Sequence, residues 1–349
     1  MDSFHRILIV QTAFLGDVVL TLPLVEAVHS SWPEAQVDFL SRASCEGLFL
    51  GHEHVDKVMV FDKQNRNRSL VGMLSLASSI RRQKYDLALI PHRSFRSGII
   101  TALAGIPKRV GFKAVAGSIW YTDSAPRDLS QHEGARNLSL LDELVPSGSA
   151  FDIRPTLDLA KHPAKQEVAG WMDKVGLSPG KRLIIYAPGS VWATKRWDES
   201  HWTELLRRVG EDESLVSVMV GGPEDAELCG RICQRSDCGA YNAAGELSIL
   251  GSATLIELAD LLITGDTAPL HLAQAVRTPT LAIFGPTVPE YGFAPTGEND
   301  AIIGLELPCR PCAIHGGREC PLGHHDCMKG LSAEAVLRVA QKMLNGESS

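Results

Sequence analysis

Short apolar runs alternate with amphipathic segments along the first half of the chain. Four runs have the length and apolar content of buried strands: RILIVQT, QVDFLS, KVMVFD and DLALIP. Between them, apolar positions recur at helical spacing from about Val18 to Ser31, near Ala43 to Leu50, and from about Leu70 to Gln83. Such alternation predicts a parallel β-sheet covered by helices.

The second half of the chain repeats this alternation. Its strand-like runs are RLIIYAPG, LVSVMVGG, DLLITGD and TPTLAIFG, and its helical segments are SHWTELLRRVG, EDAELCGRICQRS, one near Ile249 to Leu258 and one containing His271. Between the halves, a stretch with two prolines, a predicted connecting helix and a Pro-Gly stop marks a linker at about residues 160–180. We therefore predict an α/β protein with two Rossmann-like doubly wound domains, residues 1–165 and 166–349, facing a central cleft.

Length and composition agree with two globular domains. A chain of 349 residues exceeds what one hydrophobic core usually serves, and its 44% hydrophobic and 21% charged residues are ordinary for a globular protein. No apolar run reaches the roughly 18 residues of a spanning helix, and the start MDSFHRILIV leads directly into a strand. The expectation is a cytoplasmic protein.

Basic residues are concentrated in the first half. Residues 1–150 carry 16 Lys and Arg against 15 Asp and Glu, whereas the remainder carries 18 against 26. The stretch from Lys57 to Lys113, here the basic segment, holds twelve basic residues and two acidic ones. A local field of that sign attracts anions. A solvated basic face without a ligand is the alternative interpretation.

The stretch TGDTAPLHLAQAV, residues 264–276, raises a question about charge. An apolar strand precedes it and helical spacing follows it, so it contains a strand-to-helix turn. The start of a helix has unpaired N–H groups and suits a phosphate, which a carboxylate would repel. Asp266 must therefore either cap the helix or point at something other than phosphate.

Most of the unusual residues follow strands directly, at the sheet edge where ligands bind in such folds. They are Gly16-Asp17 and PHRSFRS in the first half, and PGSVWATKRW, GGPED, GD and FGPTVPE in the second. No GxGxxG motif follows a strand, which argues against a dinucleotide cofactor. There is also no P-loop lysine, GxSxG elbow or HExxH motif. No nucleic-acid partner is expected.

Four stretches carry a resemblance that covers nearly the whole chain: RILIVQTAFLGDVVLTLPLVEAVHSSWPEAQVDFL, PHRSFRSGIITALAGIPKRVGF, YAPGSVWATKRWDESHWTEL and ITGDTAPLHLAQAVRTPTLAIFGPT. Together they resemble the ADP-heptose:lipopolysaccharide heptosyltransferases of glycosyltransferase family 9, closest to the heptosyltransferase II type. The resemblance implies a GT-B fold, an acceptor-binding N-terminal domain and an ADP-sugar-binding C-terminal domain. It also implies inverting transfer of heptose from ADP-L-glycero-D-manno-heptose to the inner core of lipopolysaccharide, with no cofactor or metal required for catalysis.

The donor site follows from this resemblance. Without a metal, protein cations and N–H dipoles must stabilise the charge on the leaving ADP. Lys195 is the first choice for that charge, and Asp266 would then face the sugar with Lys195 as its partner. Further donor contacts are expected from Ser190, Thr194, Thr267, Ala268, which stands where the family has glycine, and His271, which could instead fill a gap in the core. Weaker candidates for the adenine slot are Gly222, Glu224 and Leu247.

The acceptor side is expected in the basic segment and at Asp17. Inner-core lipopolysaccharide carries carboxylates and phosphates, which Arg recognises with its planar fork; the candidates are Lys63, Arg66, Arg68, Arg93 and Arg96. The same patch, with Phe95, could hold the enzyme peripherally on the anionic inner face of the inner membrane. Asp17 is the expected general base, and the alternative is an N-cap for the helix VVLTLPLVEAV.

Cys309, Cys312, Cys320 and Cys327 form a cysteine-rich stretch near the C-terminus, together with three histidines. The spacing is looser than that of a zinc ribbon, and reduced thiols, a structural zinc or iron site and disulfide pairing all remain open. A bound metal would take no part in transfer.

Two other functions share the predicted architecture. One is an enzyme resembling UDP-GlcNAc 2-epimerase, and the other is a catalytically inactive nucleotide-sugar-binding module. ADP-heptose supplied without acceptor distinguishes them, because an epimerase would alter the sugar, a transferase would only hydrolyse it slowly and a binding module would do neither.

Overall fold

The computed structural model describes residues 3–62, 69–177 and 180–347. The chain divides into two compact units, Met1–Thr156 and Leu157–Ser349. Over the described residues, each unit contains a six-stranded sheet in which every pair of neighbouring strands is parallel. This confirms the predicted α/β class with two Rossmann-like sheets.

The N-terminal unit has the sheet order β3-β2-β1-β4-β5-β6. Its strands are β1 (Arg6–Val10), β2 (Gln36–Ser41), β3 (Lys57–Val60), β4 (Leu87–Ile90), β5 (Lys108–Phe112) and β6 (Asp123–Ala125). Its helices are α1 (Leu15–Val19), α2 (Leu22–Ser31), α3 (Leu70–Gln83), α4 (Phe95–Leu103) and α5 (Glu133–Leu138). The strands that follow the first one lie on both sides of it, so the chain order reverses between β1 and β4.

The prediction of one continuous helix from about Val18 to Ser31 is wrong, because the structure contains two helices, α1 and α2, in this region. Thr21 lies at the break, and its hydroxyl donates to the carbonyl of Asp17 at 2.8 Å. Pro23, in the first turn of α2, has no N–H to continue the helical hydrogen bonding. Similarly, the segment near Ala43 to Leu50 forms a 3-10 helix over Ala43–Phe49 instead of an α-helix.

The C-terminal unit has the sheet order β12-β11-β10-β7-β8-β9. Its strands are β7 (Arg182–Ala187), β8 (Leu215–Met219), β9 (Tyr241–Asn242), β10 (Leu261–Gly265), β11 (Thr280–Ile283) and β12 (Ala301–Ile303). Its helices are α6 (Ala164–Val175), α7 (Glu199–Val209), α8 (Ala226–Ser236), α9 (Ile249–Glu257), α10 (Ala268–Val276), α11 (Asp326–Lys329) and α12 (Ala333–Leu344). Here the order reverses between β7 and β10.

The helix expected in the linker, α6, belongs to the C-terminal unit. It packs against α9, and the carboxylate of Glu167 accepts hydrogen bonds from the backbone N–H and the hydroxyl of Ser248, both at 2.6 Å. The change from one unit to the other comes earlier, between Thr156 and Leu157. The packing of α6 explains why the division precedes this helix.

Each core lies between a sheet and its helices. Residues 7–10 of β1 have no exposed surface, and in the C-terminal unit Tyr186 and Trp202 are the largest fully buried side chains. Their rings meet edge to face, with centroids 6.3 Å apart. In the part of the chain that the structure describes, none of the helices has the length and apolar content required to cross a bilayer.

Candidate active site

The reversal of strand order in the C-terminal unit brings two loops together at the carboxyl ends of neighbouring strands. One loop follows β7 and ends in a 3-10 turn, Ala193–Lys195, and the other follows β10 and contains Asp266. Crevices at such reversals are where ligands bind in doubly wound folds. The side chain of Lys195 crosses from the first loop to the second, and its Nζ donates to Asp266 Oδ2 at 2.6 Å and to the Asp266 carbonyl at 3.1 Å.

Asp266 is buried and carries two side-chain partners. Its side chain is 6% exposed and that of Lys195 is 10% exposed. The hydroxyl of Thr287 also donates to Asp266 Oδ2, at 2.7 Å. The N-cap position of α10 belongs to Thr267. The capping interpretation of Asp266 is therefore wrong, and the carboxylate is held between a cation and a hydroxyl.

The start of α10 carries no side-chain cap. Thr267 makes no capping hydrogen bond, and its hydroxyl lies 3.2 Å from that of Thr264. Ala268 is the first residue of the helix, followed by Pro269. His271, one turn along, is 4% exposed and its ring faces Phe293 with centroids 6.4 Å apart. Pro269 has no N–H and the Leu270 N–H donates to the Thr267 carbonyl at 3.1 Å, so the N–H groups of Thr267 and Ala268 are the ones available beside the Lys195–Asp266 pair, a geometry that suits an anion.

The loop after β7 is held by hydrogen bonds within the loop and by hydrogen bonds to Gly317. The hydroxyl of Ser190 accepts from the N–H of Trp192 at 3.1 Å, and the carbonyl of Ser190 accepts from Arg196 Nε at 2.8 Å. Thr194 is buried, and its hydroxyl donates to the carbonyl of Gly317 at 3.0 Å and accepts from the Gly317 N–H at 2.7 Å. The Thr194 hydroxyl therefore holds the loop in place, a role that the sequence did not predict.

The three adenine candidates lie on two loops that touch. The carbonyl of Gly221, beside Gly222, accepts from the N–H of Gly245 at 3.0 Å, and Leu247 lies two residues beyond Gly245. The Glu224 carboxylate folds back over Gly222, since a Cβ there would come within 2.5 Å of it. The structure thus brings Gly222 and Leu247 into neighbouring loops, after β8 and β9 respectively.

Asp225 is a residue of this region that the sequence did not single out. Its carboxylate accepts from the Gly222 N–H at 3.1 Å and packs so closely on Gly189 that a Cβ there would lie 2.3 Å away. Burial and the neighbouring Glu224 raise the pKa of Asp225, while the Gly222 N–H and Arg196 oppose that shift. The carboxyl group joins the loops after β7 and β8, which are distant in sequence.

In the N-terminal unit, the reversal between β1 and β4 brings together the loops that follow these strands. His92 Nδ1 lies 2.9 Å from the hydroxyls of both Thr12 and Ser97. Asp17 lies in the first turn of α1, where Phe14 occupies the N-cap position. The alternative that Asp17 is an N-cap is therefore wrong, and its place near a strand-order reversal agrees with a role in a site.

Arg93 lies close enough to Asp17 for the two charges to interact. Arg93 is an exposed residue, yet desolvation of its guanidinium and the nearby Arg127 lower its pKa, while Glu133 and Asp17 oppose the shift. Glu133 Oε2 accepts from Arg127 and from the buried Arg136, both at 2.7 Å. Arg127 and Arg136 were missed because they lie beyond the basic segment. Arg96 is exposed on α4, and Lys63, Arg66 and Arg68 lie outside the described residues.

The cysteine-rich stretch lies between β12 and α12. All eight cysteines of the chain are free. Cys312, Cys320 and Cys327 line a cavity of about 40 Å³ together with Thr194 and His325. Among the described residues, no group of three or more His, Cys, Asp and Glu side chains is arranged to hold a metal ion. The structure therefore shows these four cysteines without disulfide bonds.

Comparisons with known proteins show which family the chain resembles. The family model for "Glycosyltransferase family 9 (heptosyltransferase)" matches residues 73–323. The chain is 25% identical to lipooligosaccharide heptosyltransferase 2 of Campylobacter jejuni, over 97% of this chain and 98% of the relative.

Two solved structures share the fold. One is ADP-heptose lipopolysaccharide heptosyltransferase II of Escherichia coli, with a TM-score of 0.79 and 22% identity, covering 98% of this chain and 99% of that one. The other is E. coli heptosyltransferase WaaC with ADP-2-deoxy-2-fluoro heptose, with a TM-score of 0.71 and 19% identity, covering 97% and 99%. The GT-B architecture is therefore shown, and the chain belongs to glycosyltransferase family 9, the heptosyltransferases.

Proposed function

We propose that this protein transfers heptose from ADP-L-glycero-D-manno-heptose to the inner core of lipopolysaccharide, as an inverting enzyme of the heptosyltransferase II type. Family membership favours a transferase over the epimerase and binding-module alternatives. The observation that carries the proposal is the buried Lys195–Asp266 pair beside the uncapped start of α10. That arrangement supplies a cation and N–H groups for a diphosphate, together with a carboxylate for a sugar.

The donor half of the mechanism follows from these groups. Negative charge develops on the ADP oxygen as the sugar–phosphate bond breaks, and a positioned cation with backbone N–H donors stabilises it. Lys195 Nζ is already oriented by Asp266, so little reorganisation is required on binding. Asp266 then accepts hydrogen bonds from sugar hydroxyls. Because Lys195 supplies the cation, we propose that transfer needs no divalent metal, and a chelator should leave the rate unchanged.

The acceptor half uses the N-terminal unit. Asp17 is proposed as the general base that takes the proton of the acceptor hydroxyl, on the sugar face opposite to the leaving ADP. Arg93, which interacts electrostatically with Asp17, and the exposed Arg96 would pair with anionic groups of the inner core.

Transfer can be measured as ADP release and as the mass gain of a heptose-deficient lipopolysaccharide acceptor. Asp17→Asn removes the base and should lower turnover on the order of 100- to 10,000-fold, with ADP affinity nearly unchanged. Asp86→Asn is the matched control in the same unit. Its carboxylate accepts from the N–H groups of His5 and Arg6 at the start of β1, away from the strand carboxyl ends.

Two results would contradict the proposal. An Asp17→Asn enzyme that keeps more than roughly a tenth of wild-type turnover would remove Asp17 as the base. A wild-type protein that alters ADP-heptose without an acceptor, and transfers nothing when the acceptor is present, would exclude transferase activity itself.

We further propose that the N-terminal unit associates with the anionic inner face of the inner membrane. Helix α4 contacts both α3 and the turn Ser118–Trp120. These three elements expose large apolar side chains, which are Leu70, Val71, Leu74, Phe95 and Ile119. Exposed basic residues on the same elements include Arg96. Flotation with anionic vesicles should exceed flotation with neutral vesicles and fall with salt. Equal binding to both vesicle types would contradict the electrostatic part.

A further inference from the structure

The segment from Cys309 to Cys327, here the cysteine segment, lies directly on the loop that carries Lys195. Its residue Gly317 forms three hydrogen bonds with Thr194: the Thr194 N–H to the Gly317 carbonyl at 3.1 Å, and the two hydroxyl contacts of 3.0 and 2.7 Å. The neighbouring Gly316, with φ of +81°, packs on the stem of Lys195. A Cβ at Gly316 would lie 3.0 Å from Lys195 Cγ.

His325 adds a contact to the other side of Thr194. Its Nε2 lies 2.8 Å from the carbonyl oxygen of Thr194. A carbonyl can only accept, so His325 donates from Nε2. Thr194 is therefore held through its N–H and hydroxyl by Gly317 and through its carbonyl by His325, one residue before Lys195.

The backbone of His325 is itself fixed. The residue has φ of +62°, in the left-handed region, directly before α11. Its carbonyl accepts hydrogen bonds from the N–H groups of Met328 and Lys329, both at 3.1 Å. The ring of His325 also lines the small cavity beneath the segment, next to Thr194.

We propose that His325 is a positioning residue for Lys195, acting through the Thr194 carbonyl to hold the cation where the donor diphosphate binds. This inference rests on the proposed donor-binding role of Lys195. The turn Ala193–Lys195 has only three residues, and a 3-10 turn of that length has little stability of its own. Its geometry therefore depends on the cysteine segment, which begins more than one hundred residues later in the chain.

The first test is ADP binding by titration calorimetry. His325→Ala should weaken ADP binding about fivefold to twentyfold, the range expected when one hydrogen bond and its ordering effect are lost. His325→Gln places an amide donor near the position of Nε2 and should restore affinity to within about threefold. The matched control is His324→Asn, since His324 Nδ1 accepts from the Asp326 N–H at 3.0 Å and asparagine keeps that acceptor. It should bind ADP like the wild type.

A double-mutant cycle separates positioning from general stability. If His325 acts through Lys195, then His325→Ala should lower kcat/KM in the wild type but have almost no further effect in Lys195→Ala. A purely structural role would lower kcat/KM by the same factor in both backgrounds. Thermal unfolding of all four proteins confirms that each is folded at the assay temperature.

The outcomes are distinct. Weakened binding in His325→Ala, rescue by glutamine and non-additivity with Lys195→Ala support the proposal. Unchanged ADP affinity in His325→Ala, or equal factors in both backgrounds, would overturn it and leave the proposed function intact. A wild-type protein that binds no ADP would instead overturn the proposed function and this inference with it.

Discussion

The pairing of Lys195 with Asp266 predicts an unusual response to Asp266→Asn: tighter binding of ADP. A carboxylate beside a diphosphate repels it and also competes for the same ammonium group. Asparagine keeps the shape and a hydrogen-bond acceptor for Lys195 and Thr287 but removes the charge. The variant should therefore bind ADP more tightly, because ADP places only phosphate groups beside Lys195.

The size of the gain follows from the geometry. Lys195 Nζ is 2.6 Å from Asp266 Oδ2, and a phosphate oxygen bonded to the same Nζ at about 2.8 Å would lie roughly 5 Å from that carboxylate. Two unit charges at roughly 5 Å interact by about 3 kcal/mol at an effective dielectric constant near 20. Partial screening in an open site reduces this to about 1.5 kcal/mol, which corresponds to about tenfold tighter ADP.

The same substitution should destabilise the free protein. Both side chains are at least 90% buried, and removing one partner of a buried pair leaves the other charge uncompensated, which costs about 3 kcal/mol. Chemical denaturation with and without ADP would measure both effects. The apo variant should unfold at lower denaturant concentration, and saturating ADP should recover more stability than it does in the wild type.

Calorimetric titration with ADP is the direct assay, and Asp260→Asn is the matched control. Asp260 lies directly before β10, whereas Asp266 lies directly after it. The Asp260 carboxylate accepts from the Leu183 N–H at 2.7 Å. Its loss should leave ADP affinity unchanged. If Asp266→Asn binds ADP no more tightly than the wild type, the diphosphate does not lie beside this pair and the donor assignment is refuted.

Three further predictions concern thiols and a carboxyl group. Backbone N–H groups of His325 and Leu322 lower the pKa of Cys320, whereas burial raises the pKa of Cys327 to about 11; brief alkylation followed by peptide mass spectrometry should therefore find Cys320 modified before Cys327. Protein purified without chelator should titrate as eight free thiols and contain well under one equivalent of zinc or iron, and a full equivalent would contradict this. Because burial raises the pKa of Asp225, the native state holds its proton more tightly than the unfolded state, so the free energy of unfolding falls as pH rises from about 4 through the folded pKa. Asp225→Asn should lack that fall in stability. Parallel stability–pH profiles of the two proteins would refute this prediction.

Much of the fold could be predicted because the signals are local. The helix predicted over Leu70 to Gln83 is observed with those bounds, and its N-cap is Ser69, whose hydroxyl accepts from the Gly72 N–H at 3.1 Å. Strands buried on both faces appear as continuous apolar runs, as β1 and β4 do. The placement of unusual residues at strand ends then follows from parallel topology alone.

The parts that sequence reasoning missed depend on contacts between distant segments. Thr194 was assigned to the donor, but its hydroxyl bonds to Gly317, 123 residues away. The Asp225 carboxylate, in the loop after β8, packs on Gly189, in the loop after β7, and leaves no room for a Cβ at that position. The break between α1 and α2 was missed for a different reason: a helical apolar pattern continues through Thr21, and only the hydroxyl bond to Asp17 and the missing N–H of Pro23 end it.

A carboxylate at an anion-binding helix start makes sense if the site must distinguish donor from product. ADP has the diphosphate of ADP-heptose with an additional negative charge on its terminal phosphate, so Lys195 and α10 alone would bind the product at least as tightly as the donor, and tight product binding would slow release. Asp266 repels the diphosphate in both ligands but can recover that energy only from the hydroxyls of the heptose, which ADP lacks. We infer that the pair shifts affinity from product to donor. Asp266→Asn should accordingly bind ADP more tightly and ADP-heptose no more tightly, and an equal gain for both ligands would contradict this role.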